Sequence, residues 1–249
     1  MPDSAPLVLL PGLQSDHRSW VHQIRYFEGR RPVLVPRGHQ FCSSVPEMAD
    51  NVVAQLPERF HLVAWSMGGY IAFQMLPQIA DRLISLVLVA TTARPESPDS
   101  TTRRLELIAK AEREGVEAAS VKSIAYSCRD IGLVDPAARD GVLQSWIELG
   151  VDAYRRQQHA IINRPDGRPN LALVTCPTTV VVGDSDQVTP QDCAEELCDL
   201  IAEAALRVIP ECGHCPPLEF PDLVNAMLDD WLTAHQAPVS PHRSPSTAR

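Results

Sequence analysis

The stretch "HLVAWSMGGYIAFQML", residues 61–76, decides the fold. An apolar run ends at Trp65, Ser66 follows, then two glycines, then a helical pattern. A strand that turns this sharply into a helix needs small residues two positions before and after the corner, because the two elements pass closely. Ala64 and Gly68 occupy those positions; the usual G-x-S-x-G pattern has glycine at the first, so Ala64 departs by one methyl. A serine on such a corner projects its hydroxyl above the sheet edge. The Met67 amide then opens the helix, where it can donate to an anion forming beside Ser66. The same letters also suit a serine N-cap ahead of a glycine-lined packing face.

Working outward, short apolar runs recur: "LVLL" (7–10), "PVLV" (32–35), "LISLVLVA" (83–90), "TTVVVG" (178–183) and "ALRVI" (205–209). Runs of Val and Leu without polar alternation suit strands covered on both faces. Helical patterns fall between them at 46–56, 67–80, 190–203 and 221–234. This alternation predicts an α/β fold with a doubly wound, mostly parallel sheet of about six strands. From 95 to 170 the rhythm breaks into helical sequence alone. A single crossover rarely needs so much chain. The expected organisation is therefore a core of 1–94 and 171–235, a helical cap insertion at 95–170, and a disordered tail at 236–249.

The chain has 249 residues and a net charge of −9. Its length suits one large domain. The acidic balance argues against nucleic acid or an anionic membrane as partner, and no apolar run is long enough to span a bilayer. Seven cysteines without regular spacing fit a reducing cytoplasm.

A serine nucleophile needs a base, and the base an orienting acid. In a doubly wound sheet both come from loops after later strands. "TTVVVG" runs into "DSDQVTP", offering Asp184 and Asp186, and "ALRVI" runs into "PECGHCPP", offering His214. The motif Cys212-Gly213-His214-Cys215 also has the letters of a dithiol redox centre, and with Cys193 and Cys198 those of a zinc site. A dithiol centre belongs after an early strand with a cysteine opening a helix, and zinc needs a spaced second ligand pair. Neither context is present, so the cysteines read as small packing residues.

With the three residues in the order Ser, Asp, His, the chain resembles the α/β-hydrolases, in particular small esterases and lactonases such as pimeloyl-carrier-protein methyl esterases and enol-lactonases. The resemblance covers about residues 5–235. The family pattern G-x-x-D-x-x-x-P matches Gly183 to Pro190 and selects Asp186 over Asp184. Gly213-His214 matches its later G-H pair. "LVLLPGL" resembles the strand and H-G-x loop whose third residue supplies an oxyanion amide, here Leu13, with Pro11 in place of the family histidine. Further departures are Val35-Pro36 before Arg37 and Gln40 where glycine is common.

The resemblance implies a serine hydrolase cleaving a small carboxylic ester, lactone or thioester through an acyl-enzyme. Ser66, Asp186 and His214 are its expected catalytic residues, and the amides of Leu13 and Met67 its oxyanion hole. No cofactor and no metal are expected, and a homodimer is left open. Dehalogenases and epoxide hydrolases of this fold use Asp where Ser66 stands. Cofactor-free C–C hydrolases, lyases and perhydrolases share the triad, and a non-catalytic binding protein is the alternative from another class. Trp146, Tyr126, Tyr154 and Met75 are candidate cavity walls, with helix core the preferred reading. Arg103, Arg104, Arg155 and Arg156 could meet an acidic carrier or a carboxylated substrate; a solvated helix face is the preferred reading.

Overall fold

A computed structural model describes residues 5–236. The sequence-expected tail, 236–249, lies outside those residues except for Gln236. Six parallel strands form one sheet: β1 (Leu7–Leu10), β2 (Val33–Leu34), β3 (Phe60–Trp65), β4 (Leu83–Val89), β5 (Thr178–Gly183) and β6 (Ala205–Ile209), in the order β2-β1-β3-β4-β5-β6.

The strands show how an unbroken apolar run serves two faces. Val8, Leu10, Leu62, Ala64, Leu86, Leu88, Val180 and Val182 point into one core. Their neighbours Leu7, Leu9, Val63, Trp65, Val87, Val89 and Val181 point into the other. Period-2 side-chain alternation makes both sets apolar when helices cover both faces. The edge strand β6 departs from this expectation. Ala205, Arg207 and Val208 are exposed on this last strand of the sheet, which pairs with β5 alone among the described residues.

Helices α1 (Val21–Phe27), α2 (Val45–Val53) and α3 (Met67–Ile79) join the early strands. α2 is capped by Ser44, whose hydroxyl accepts from the Glu47 amide, while the Glu47 carboxylate accepts from the Ser43 amide, one residue before the cap. Between β4 and β5 lie α4 (Pro98–Glu114), α5 (Val116–Ser127), α6 (Pro136–Ile162) and α7 (Arg168–Leu171), without a strand among these described residues. α6 bends at Gly150, whose φ of 76° interrupts the helix. These helices pack onto the sheet through Ala111, Ala119, Trp146 and Tyr154 on one side and Ala160 and Ile161 on the other. The chain closes with α8 (Gln191–Leu200), α9 (Pro216–Glu219) and α10 (Pro221–Ala234). No helix of the described residues is long and apolar enough to cross a membrane.

From β1 the chain runs outward to β2, then returns to β3 on β1's other flank. The two loops leaving β1 and β3 therefore diverge, opening a crevice at the carboxyl ends of the strands. Ser66 and the Gly12–Leu13 turn sit there: a Cβ on Gly12 would lie 3.5 Å from the Ser66 Cβ.

Two buried histidines set an acid limit on this fold. Burial lowers His39 to about 4, and burial with the Arg31 and His235 charges lowers His61 to about 4. Both stay neutral in the folded chain where the unfolded chain is protonated, so the unfolded state binds more protons between pH ~6.5 and 4. Unfolding free energy should fall as pH drops through that window, by up to about 1.4 kcal/mol per pH unit for each proton. Urea titrations at several pH values measure the slope, which His39→Leu should reduce.

Candidate active site

The β3–α3 corner is strained. Ser66 has φ 54° and ψ −118°, a conformation that L-residues rarely adopt. Three contacts hold it there: the Ser66 amide donates to the Val89 carbonyl, and the Ser66 carbonyl accepts from the Thr91 hydroxyl and the Gly69 amide. The need for a small residue at 68 is steric, because a Cβ on Gly68 would lie 2.6 Å from the Leu10 carbonyl oxygen. Met67 opens α3, so its amide has no acceptor within the helix.

Asp186 and His214 arrive from the loops after β5 and β6. His214 Nε2 lies 2.8 Å from Ser66 Oγ, and His214 Nδ1 lies 2.8 Å from Asp186 Oδ2. The carboxylate can only accept, so Nδ1 carries the proton and Nε2 is left to accept from the serine hydroxyl. Asp186 also accepts from the Val188 and Thr189 amides and the Thr189 hydroxyl. Burial alone would raise its carboxyl, but His214 and these donors outweigh it, and the group sits below the usual carboxylate value. Asp184, the other sequence candidate, is exposed and bonds to Ser185. The structure thus brings Ser66, Asp186 and His214 together and leaves Asp184 apart.

The loop carrying His214 is gripped from several sides. Glu219 is 3% exposed, and its carboxylate accepts from the amides of Gly213 and Cys215, on either side of His214, and from the amide of Arg129 after α5. The His214 amide donates to the Ser127 carbonyl at 2.7 Å, and the Trp65 indole donates to the His214 carbonyl at 2.9 Å. Gly183 permits this approach, since a Cβ there would lie 2.2 Å from the Cys212 carbonyl oxygen. Sequence reading missed Glu219, and its place four residues after a C-G-H-C motif is the only local signal.

The cysteines follow neither the redox nor the zinc pattern. Burial and the Glu219 charge push the Cys212 thiol well up, and hydrogen bonding with Cys128 together with burial does the same to Cys215. A reactive dithiol requires the opposite shift. Both His214 ring nitrogens are engaged by Ser66 and Asp186. Cys128, Cys215 and Glu219 do bring ligand-type atoms within 4.8 Å of one another. The Glu219 oxygens already accept backbone amides, which a cation would have to displace.

Pro11 leaves the Leu13 loop without the family's histidine, and the structure supplies a substitute. Gln14 has φ 53°; its amide donates to Gln157 Oε1 at 2.8 Å, and its side-chain amide donates to the Gly150 carbonyl at 2.9 Å. Gln157 Nε2 donates to Gln14 Oε1 and to the Gln40 carbonyl, and Gln40 Nε2 donates to the Ser15 carbonyl. Gln40, unexpected as a departure from glycine, is part of this support. Gln157→Leu should cost about 3 kcal/mol of unfolding free energy, since it strands buried polar groups on two loops. Urea unfolding would show it.

A cavity of about 610 Å³ opens above Ser66 and His214. Trp146 and Tyr126 line it, whereas Tyr154 and Met75 are buried in the packing core. Arg103 and Arg155 are exposed, as expected of a solvated face, and Arg156 is half-buried; Arg103 and the half-buried Arg104 both line the cavity.

This sheet, this corner and this crevice are those of a hydrolase fold, and the chain matches the alpha/beta hydrolase family over residues 7–227. It belongs to that family. Among curated proteins it is similar to a pimeloyl-[acyl-carrier protein] methyl ester esterase of Nitrosomonas europaea, 28% identical over 188 residues, covering 72% of this chain and 73% of that one. A putative carbamate hydrolase RutD of Variovorax paradoxus is 25% identical, covering 92% and 86%. Among solved structures, a thermophilic esterase from Thermogutta terrifontis superposes with a TM-score of 0.81 at 26% identity, covering 94% of this chain and 92% of that one.

Proposed function

We propose that the chain is a serine hydrolase that cleaves a carboxylic ester, lactone or thioester through an acyl-enzyme on Ser66. The observation that carries this reading is the continuous relay from Ser66 Oγ through His214 to Asp186, with 2.8 Å at each step. The names of the similar proteins, an ester esterase and a thermophilic esterase, support the same class.

Ser66 Oγ attacks the substrate carbonyl carbon while His214 Nε2 takes the hydroxyl proton. Asp186 keeps Nδ1 protonated and stabilises the imidazolium. The carbonyl oxygen becomes an oxyanion facing the Leu13 and Met67 amides, each contributing about 3 kcal/mol. His214 returns the proton to the leaving alcohol as the carbon–oxygen bond breaks. Water then attacks the acyl-enzyme with His214 again as base, releasing the acid and restoring Ser66. Nothing in this sequence calls for a cofactor.

Two measurements test the reading. A fluorophosphonate probe should label the chain at Ser66, located by peptide mass spectrometry. A panel of p-nitrophenyl esters, lactones and acyl thioesters should show turnover that the same probe eliminates. Turnover that survives complete labelling would refute it.

A further inference from the structure

The cavity carries a charge opposite to that of the whole chain. Six cationic side chains and three carboxylates line it, while the chain bears −9. The buried part of that excess lies around Glu96, whose side chain is 3% exposed and lies between two guanidiniums. Arg164 takes the stronger share: it pairs with one Glu96 oxygen, donates to the Arg94 and Ile161 carbonyls, and lies 4.4 Å over the Tyr70 ring. Arg104 is left with the remainder. Its Nε lies 3.2 Å from the other Glu96 oxygen yet forms no hydrogen bond, and its one side-chain hydrogen bond among the described residues goes to Gln158 Oε1 at 2.9 Å. Two guanidiniums and one carboxylate leave a net positive charge in a site largely withdrawn from water, the Arg104 side chain being 16% exposed.

An uncompensated guanidinium in such a site is costly unless a counter-ion completes it. Gln158 fixes the direction of this one: its carbonyl oxygen faces Arg104 while its amide donates to the Tyr154 hydroxyl. Tyr70, beneath Arg164, lies one helical turn beyond Ser66 and lines the same cavity. The charge and the nucleophile therefore share one wall. Apolar residues such as Leu13, Leu107, Ile124 and Val134 also line the cavity.

From this geometry we infer that the substrate is an ester bearing a carboxylate, and that Arg104 is the residue that binds it. The inference rests on the esterase reading above and extends it to substrate class. A planar guanidinium fork suits a carboxylate, and apolar walls suit the chain linking that carboxylate to the scissile carbonyl.

The test compares kcat/KM for monomethyl esters of linear dicarboxylic acids with the uncharged methyl esters of matching length. Acetates of ω-hydroxy acids form a second arm, which distinguishes a carboxylate on the alcohol side from one on the acyl side. One carboxylated series should be preferred by about 10- to 100-fold, the yield of a charge-assisted hydrogen bond. Arg104→Gln should remove that preference, lowering kcat/KM for the charged series by about 10- to 100-fold more than for the uncharged one, whereas Arg104→Lys should keep part of it. Equal rates for charged and uncharged esters in the wild-type chain would overturn the inference without any substitution. So would an Arg104→Gln loss spread equally over both series at unchanged melting temperature. If no ester is hydrolysed, the esterase reading fails on its own. Calorimetric binding of the same esters to Ser66→Ala then still decides the inference, tighter binding of the charged esters supporting it and equal binding overturning it.

Discussion

Ser66→Ala should lower kcat for ester hydrolysis by about 10⁵- to 10⁶-fold, leaving only the background that binding and oxyanion donors supply. In the proposed mechanism no second group can take over. The cysteine nearest the relay in sequence, Cys215, is buried with its thiol held protonated. The loss should lie almost wholly in kcat, because the hydroxyl forms the covalent bond and contributes little to ground-state binding. The fold should survive: Ser66 is held by backbone contacts to Val89, Thr91 and Gly69, which alanine keeps. Ser66→Gly separates strain from chemistry. It should be as inactive as the alanine variant yet more stable than it by about 1 kcal/mol, since glycine adopts the observed φ of 54° without strain. Rates with a p-nitrophenyl ester and denaturation midpoints for the two variants check both statements.

Asp186→Asn should cost about 10⁴-fold in kcat, through the wrong imidazole tautomer. The asparagine oxygen can still accept from the Val188 and Thr189 amides, so the loop should keep its shape. Its side-chain amide would then face Nδ1 as a donor, and Nδ1 would shed its proton to accept. The proton moves to Nε2, which points at the Ser66 hydroxyl and can no longer act as base. Proton NMR should show loss of the downfield Nδ1–H resonance in the variant. Because the Asp186 carboxyl is held below its ordinary value, the wild-type chain should retain its contribution above the unfolded value near 4 and lose it as pH falls through the lower folded value. The asparagine variant lacks that component of acid destabilisation.

Much of the architecture is legible in the sequence. Each strand is an apolar run ended by a turn signal, and six of them in alternation with helices imply a doubly wound parallel sheet. The candidate site is legible for the same reason. Ser66, Asp186 and His214 each follow a strand's carboxyl end, and a parallel sheet collects all such ends along one edge. The limits of sequence reading show at β6, whose apolar letters do not reveal that it is an edge, and at Arg104, whose helical spacing suggests a solvated face.

The sequence by itself determined the succession of strands and helices, the sharp corner at Ser66 and the set of residues able to form a nucleophilic relay, because strand period, turn chemistry and small-residue spacing are local properties. Only the tertiary structure decided what surrounds that relay. Glu219 reaches back to the amides around His214 and across to Arg129, 90 residues away in sequence. Gln157 supports a loop 143 residues upstream. Glu96 divides one negative charge between Arg104 and Arg164. These contacts join residues whose neighbours in sequence carry no trace of one another. Burial makes each one matter, since a polar group withdrawn from water must find its partner wherever the fold brings one within reach.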